Sequence, residues 1–252
     1  MNGAVALSHW GVIRARGEDA AAFLHAQLTS DFAALGADDA RLAGYCTAKG
    51  RLLATFVAWR AAPDEILLAC HASVLPATLK RLSMFVLRAR CKLTDATAEV
   101  PLAGAVGEAA ARHVEGLPAW GKRDIAGGQA IRLPDAAGRT RALLAGRIDA
   151  GAEALPLEAW RWLEVQSGVP TVEAATVEHF VPQMLNFELI GGVDFGKGCY
   201  PGQEIVARTQ YRGAIKRRMF LFDADAPARA GEEVFHSADP SQPAGLVADA
   251  AP

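Results

Sequence analysis

The residues richest in chemistry are Lys197-Gly198-Cys199-Tyr200-Pro201-Gly202-Gln203-Glu204-Ile205-Val206-Ala207-Arg208. A thiol, a carboxylate, an amide and two cations share one short run with two glycines and a proline. The glycines open backbone angles closed to other residues. Pro201 suits a turn or the first position of a helix. A helix starting there puts Cys199 just before its N-terminus. Orphan N–H groups and the positive end of the dipole then favour a thiolate, and Lys197 adds to that field. The chemistry available is that of a reactive thiol. The plainer alternative is a tight turn around a buried cysteine, because free cysteines commonly pack as small hydrophobes.

These residues need elements to hold them. Upstream, Phe180 to Gly192 is loop-like, with Pro182, Gln183, Asn186 and Glu188 interleaved with Met184, Leu185 and Phe187. Downstream, Arg208, Arg212, Lys216, Arg217 and Arg218 form a basic segment with no acid between Glu204 and Asp223. It is either a solvated face or an attractor for an anion such as a carboxylate tail or an RNA phosphate. No aromatic-rich stacking platform accompanies it, which favours the small anion.

Further back, residues 11–17 read as a strand between glycines, and Glu18 to Leu28 as a short helix with Phe23, Leu24 and Leu28 on one face. His25 lies beside that stripe and reads as a packed or surface residue. Thr29-Ser30-Asp31 then breaks the helix, as a loop or as the polar rim of a site. Gly44 to Thr47 and Arg51 to Trp59 flank Ala48-Lys49-Gly50, a hairpin signal. Glu65 to Cys70 is a further strand, Ser73 is placed to cap a helix to about Arg88, and Cys91 to Thr94 forms another strand. Val74, Leu75, Leu79, Leu82, Phe85 and Val86 form that helix's expected core face. The order suggests a sheet with helices on one face. After Pro101 the pattern partly recurs: a helix over Ala105–Val114, strands at Gln129–Leu133 and Thr140–Ala145, and a helix over Leu157–Ser167 stopped by Gly168 and Pro170. Trp160, Leu163 and Val165 are its expected buried residues. Met219–Phe222, Glu233–Phe235 and Gly245–Val247 read as short strands that begin a small β-barrel or sandwich.

The totals bound the class. The 252 residues suffice for one large domain or two to three small ones. With 51% hydrophobic and 21% charged residues, the chain reads as globular. A net charge of −2 gives no case for direct nucleic-acid binding. Cys46, Cys70, Cys91 and Cys199 form no C-x-x-C pair and no zinc-ligand spacing with histidine, so reduced thiols and a cytoplasmic location are expected. The first residues show no basic run followed by an apolar h-region, so no signal peptide is expected, and no uninterrupted apolar run reaches membrane-spanning length.

Phe180-Val181-Pro182-Gln183-Met184-Leu185-Asn186, the Lys197–Glu204 element, Tyr211-Arg212-Gly213 and Lys216-Arg217 together resemble the signature of the YgfZ family. The resemblance extends to Phe23-Leu24, Gln27–Asp31, Lys49-Gly50-Arg51 and Trp160-Arg161-Trp162, and so spans nearly the whole chain. This family comprises folate-binding relatives of the glycine cleavage T-protein, linked to iron–sulfur cluster maintenance and tRNA modification. The resemblance implies an α+β cloverleaf of two mixed α/β modules and a C-terminal β-barrel around a folate-sized channel. The expected division is 1–40 with 100–195 as a first, discontinuous module, 41–99 as a second, and 196–252 as the signature segment and the start of a barrel that is incomplete here. Tetrahydrofolate or a derivative is the implied cofactor, and iron–sulfur client proteins are the implied partners.

By the same resemblance, Gln166 takes the place of a pterin-binding glutamate, because an amide both donates and accepts. Glu164 is a neighbouring alternative that faces another direction on the helix. Trp160 and Trp162 are placed to wall a pterin pocket or to fill core. Asp31, Gln183, Asn186, Lys197, Tyr200, Gln203, Glu204 and Arg208 complete the expected cofactor contacts, with Cys199 as a reactive thiol. T-protein relatives carry an acid on the strand after the hairpin, whereas Arg51-Leu52-Leu53-Ala54-Thr55-Phe56 has none. General acid–base help from that position is absent, so aminomethyl transfer is not the leading reading. A one-carbon transferase with a rearranged acid, or a thiol-redox enzyme using Cys199, are the alternatives.

Overall fold

The computed structural model describes residues 1–213 and 215–252. Strands β1 (Gly3–Ala6) and β2 (Trp10–Arg16) are followed by helix α1 (Ala20–Gln27) and a meander of β3 (Ala40–Cys46), β4 (Leu52–Ala62) and β5 (Glu65–His71). Helix α2 (Leu75–Ser83) and strand β6 (Lys92–Asp95) follow. The next run is β7 (Leu102–Val106), α3 (Glu108–Val114), β8 (Lys122–Ile125), β9 (Gly128–Ala136), β10 (Arg139–Gly146) and α4 (Leu157–Gln166). Helix α5 (Gln203–Tyr211) and the pair β11 (Glu233–His236) and β12 (Asp239–Leu246) complete the chain.

The strands form two five-stranded sheets, ordered β3-β4-β5-β2-β6 and β1-β7-β10-β9-β8, and one two-stranded hairpin. Every pairing within them is antiparallel. The recurrence visible in the sequence is real at the level of topology. In each sheet a strand is followed by a helix and a three-stranded meander whose last strand pairs back onto the first: β2 with β5, and β7 with β10. The remaining edges differ, since β6 flanks β2 while the N-terminal β1 flanks β7.

This pairing moves the expected division. Of residues 1–40, only β1 joins the sheet built from 102–146, whereas β2 pairs with β5 and β6. Val12, Ile13 and Ala15 are all buried, because β2 lies between β5 and β6 and is covered on both faces.

The sheets face one another across a shared core. Leu42, Val57, Trp59 and Leu67 come from one, and Val106, Ile131, Leu133 and Leu143 from the other, with Trp160 and Leu163 of α4 beside them. Trp59 Nε1 donates to Gln129 Oε1 at 2.8 Å, satisfying a buried indole across that boundary. Helices α1 and α2 cover the outer face of the first sheet and α3 that of the second.

Four local expectations shift. Helix α2 stops at Ser83, whose hydroxyl bonds back to Leu79 O, a contact that competes with helix continuation. Phe85 is therefore exposed, though Val74, Leu75 and Leu82 are buried as expected. Ser73 does not cap that helix; its hydroxyl accepts from Ala174 N instead. Ala105 and Val106 are strand, because β7 is paired on both sides and that pairing overrides alanine's helix preference. Met219–Phe222 is not a strand: Phe220 and Phe222 are exposed, and Met219 O accepts from Asn186 Nδ2. The described strands of the third region are thus a single hairpin after α5, with β11 exposed throughout.

Candidate functional site

The signature segment is pinned from three sides. Gly202 takes φ +83 and lies against the β3–β4 turn. A Cβ there would stand 2.4 Å from Thr47 O, so only glycine permits this approach. Gly50, at φ +71, faces Ile205 of α5. The Gln183 amide is fully buried and donates through Nε2 to Val206 O at 2.8 Å. Asn186, in the left-handed region at φ 55, ends the short 3-10 turn Pro182–Leu185. Arg218 Nη1 reaches Gln183 O, Asn186 Oδ1 and Glu188 Oε1.

Lys197 closes the third side. Its ammonium donates to His25 O at 2.6 Å, Leu28 O at 3.1 Å and Gly198 O at 3.2 Å, and lies 4.7 Å from the centre of the Tyr200 ring. The first two acceptors are carbonyls at the end of α1, where a cation complements the helix dipole. Burial lowers the Lys197 pKa from its ordinary value, opposed by the charges of Asp31, Asp194 and Cys199. Burial likewise pushes the Tyr200 phenol up. Lys197, Tyr200 and Gln183, expected as cofactor contacts, are therefore buried side chains engaged in holding the segment.

Cys199 is the exception, and it is exposed. It does not stand at the start of a helix as the sequence suggests: α5 begins at Gln203 after the Gly202 cap, and Gln203 N bonds Tyr200 O. Pro201 lies in the intervening turn. The helix dipole therefore falls on residues beyond the thiol. What stands beside this segment is His25, which carried no role in the sequence. A Cβ at Gly198 would lie 3.6 Å from His25 Nε2, and His25 Nδ1 is 2.9 Å from Asp31 Oδ1. Asp31 also accepts from Ala33 N and Ala34 N. These contacts, that to Ala34 N first, hold its carboxyl below the ordinary value, with His25 adding to them. Of the preceding residues, Thr29 and Ser30 are buried, and the Thr29 hydroxyl donates to Gly192 O at 2.5 Å.

Glu204, Arg208, Arg212, Lys216 and Arg217 are exposed and Gln203 is half-buried. Cys46 and Cys70 are buried, and desolvation pushes both thiols up to about 12; the half-buried Cys91 is pushed up to about 11. On β4, Ala54 and Leu52 are fully buried and the strand carries no carboxylate.

Helix α4 belongs to another part of the molecule. Trp160 is core, not pocket wall: Gly104 of β7 leaves room for it, and Arg141 lies 5.5 Å from its ring centre. Trp162 packs partly buried against the same core. Gln166 is the last, half-buried residue of α4. Glu164, not Gln166, lines a polar crevice with His9, Trp10, His71, Arg161, Glu173 and Asp249. Its two oxygens meet Trp10 Nε1 at 2.8 Å and His9 Nε2 at 2.9 Å. Burial pushes the Asp249 carboxyl up to about 6 and lowers the His71 imidazole. A cleft of about 510 Å³ shares Arg161 and Glu173 with this crevice and adds Pro227, Arg229 and Ala250. No sequence period announces this cleft, because its walls come from segments far apart in the chain.

No protein-family model matches the chain. The tRNA-modifying protein YgfZ of Serratia proteamaculans is 28% identical over 236 residues, which cover 88% of this chain and 71% of that protein. The tRNA-modifying protein YgfZ of Edwardsiella ictaluri is 30% identical over 247 residues, 87% of this chain and 70% of that one. Among solved structures, glycine cleavage system aminomethyltransferase T from Bartonella henselae superposes with a TM-score of 0.77 over 98% of this chain and 73% of that one, at 19% identity. That likeness establishes an aminomethyltransferase-type α+β fold, and the sequence match establishes the lineage within it: this chain belongs to the YgfZ family.

Proposed function

We propose that this protein is a folate-binding accessory factor in tRNA modification, acting in the cytoplasm. The observation that carries the folate reading is the cleft beside α4. Its volume, about 510 Å³, falls within the ~300–1,000 Å³ common for small-molecule sites. Arg161 and Arg229 supply cations for the carboxylates of a folate tail, and His9 Nδ1 is a buried polar atom without a partner among the described residues. The cations fit the anionic end of the group: Arg161 and Arg229 would hold the tail, whereas Gln166 lines neither the cleft nor the adjoining crevice. When bound, tetrahydrofolate carries one-carbon units. The link to tRNA modification is taken from the names of the relatives.

An accessory role is favoured over aminomethyl transfer because β4 carries no carboxylate. Asp31 does not replace it, since its carboxylate is already bonded by two backbone amides and His25. Service to iron–sulfur clients is the finer form of the proposal. Cys199 is the one exposed thiol and clusters commonly take four thiolates, so a cluster would be held by the client.

Titration of tetrahydrofolate into the purified protein, followed by calorimetry, tests the folate reading. Saturable binding that Arg161→Ala weakens about tenfold is expected. Absence of saturation at millimolar ligand overturns it.

A further inference from the structure

Residues 215–224 run on from α5 without turn or bend. Among the described residues, the one backbone group of this stretch with a hydrogen-bond partner is Met219 O, which accepts from Asn186 Nδ2 at 2.8 Å. Phe220, Leu221 and Phe222 are 71, 54 and 80% exposed. The two phenyl rings meet edge to face with centres 6.4 Å apart, as residues two positions apart do on one side of an extended chain. The sequence predicts a strand here, and a single chain gives it no partner. Unpaired backbone groups beside bulky apolar side chains are the template on which another strand adds.

The flanking charges say which strand fits. Lys216, Arg217 and Arg218 precede the apolar residues, and Asp223 and Asp225 follow them. Arg218 is paired with Glu188, whereas Arg217, Asp223 and Asp225 have no ion-pair partner among the described residues. The stretch therefore reads basic, apolar, acidic, and it is complementary to itself when reversed. A parallel copy would set like charges side by side. An antiparallel copy centred on Leu221 sets Arg217 opposite Asp225 and Phe220 opposite Phe222, each pair occurring twice by symmetry. The hold of Gln183, Asn186 and Glu188 on Arg218 orders one end of the stretch in advance, which lowers the cost of pairing.

We propose that residues 217–225 are a dimerisation strand, which pairs antiparallel with the same strand of a second copy of this chain. Leu221 lies on the two-fold axis, the four phenylalanines form the apolar contact, and the Arg217–Asp225 pairs close its two ends. The contact uses the same patch on both copies, so it closes as a dimer and does not propagate. The proposal stands apart from the folate reading, because the cleft beside α4 is not part of this strand.

Sedimentation equilibrium of the full chain between about 1 and 100 μM, a range that resolves micromolar association, tests this. A monomer–dimer equilibrium is expected. Leu221→Lys sets two cations against each other on the axis and should weaken the dimer at least about tenfold. Arg217→Asp sets acid against Asp225 twice and should weaken it about tenfold, and adding Asp225→Arg should bring it back to within about threefold of wild type. These side chains are exposed, so the thermal midpoint of the monomer should not change. Amide exchange at 217–225 should be slow in the dimer and become fast on dilution. A chain that stays monomeric at about 100 μM overturns the proposal. A dimer that survives Leu221→Lys assembles through another surface and overturns it equally. Failure of the double charge exchange to restore the dimer overturns the antiparallel register.

Discussion

Gly202 rests backbone to backbone on Gly50, so close that a Cβ on Gly202 would lie 2.8 Å from the Gly50 Cα. This contact couples the signature segment to the β3–β4 turn and sets where α5 begins, and with it where Cys199 is presented. Two glycines some 150 positions apart in sequence are thus required by one another, each at positive φ and each facing the other's element.

Gly202→Ala is the direct probe of that contact. Left-handed strain of ~1–2 kcal/mol per residue adds to overpacking of ~1–3 kcal/mol, so a loss of about 2–5 kcal/mol is expected. Urea unfolding measures it. A loss below 1 kcal/mol would show that the turn can recede.

Gly104→Ala probes the α4 contact. The added Cβ would meet the Trp160 ring at 2.5 Å, and a fully buried indole has little room to move. A destabilisation of about 1–3 kcal/mol is expected from overpacking alone. Near-UV circular dichroism should report the displaced tryptophan.

Lys197→Met keeps the apolar stem and removes the ammonium. His25 O, Leu28 O and Gly198 O lose a shared donor. A cost of about 1–3 kcal/mol follows from leaving buried acceptors unpaired. Hydrogen exchange should show the end of α1 opening first. Exchange unchanged at α1 would contradict the role assigned to Lys197.

Asp249 predicts a pH dependence with a definite sign. Its folded pKa is raised to about 6 from the ordinary carboxyl value of 3.8, so the folded state binds the proton more tightly than the unfolded state does. The stability this contributes is fully present below pH 3.8 and is lost as pH rises through about 6. Asp249→Asn should therefore raise the thermal midpoint at pH 7.5 relative to wild type and leave it nearly unchanged at pH 3.5. Equal shifts at both values would refute the assignment.

The sequence by itself determined a great deal here. The hairpin around Lys49-Gly50, the β5, β9 and β10 strands and helices α1 and α4 follow from local periodicity and turn residues, which act within a few positions. The signature residues were legible for the same reason, since they are contiguous. What only the tertiary structure decided are relations between distant segments. Which sheet received β2 depended on a choice of partner strand, and alternation along one strand names no partner. Whether Lys197 met a ligand or the carbonyls of α1 depended on where α1 ended in space. His25 carried no sequence signal, because one histidine on a short helix is ordinary until Asp31 and Gly198 are folded against it. Glu164 was set apart from Gln166 by the direction of its face, which the helix period alone does not aim. Local rules write the elements; long-range packing chose which of their side chains were left free to do chemistry.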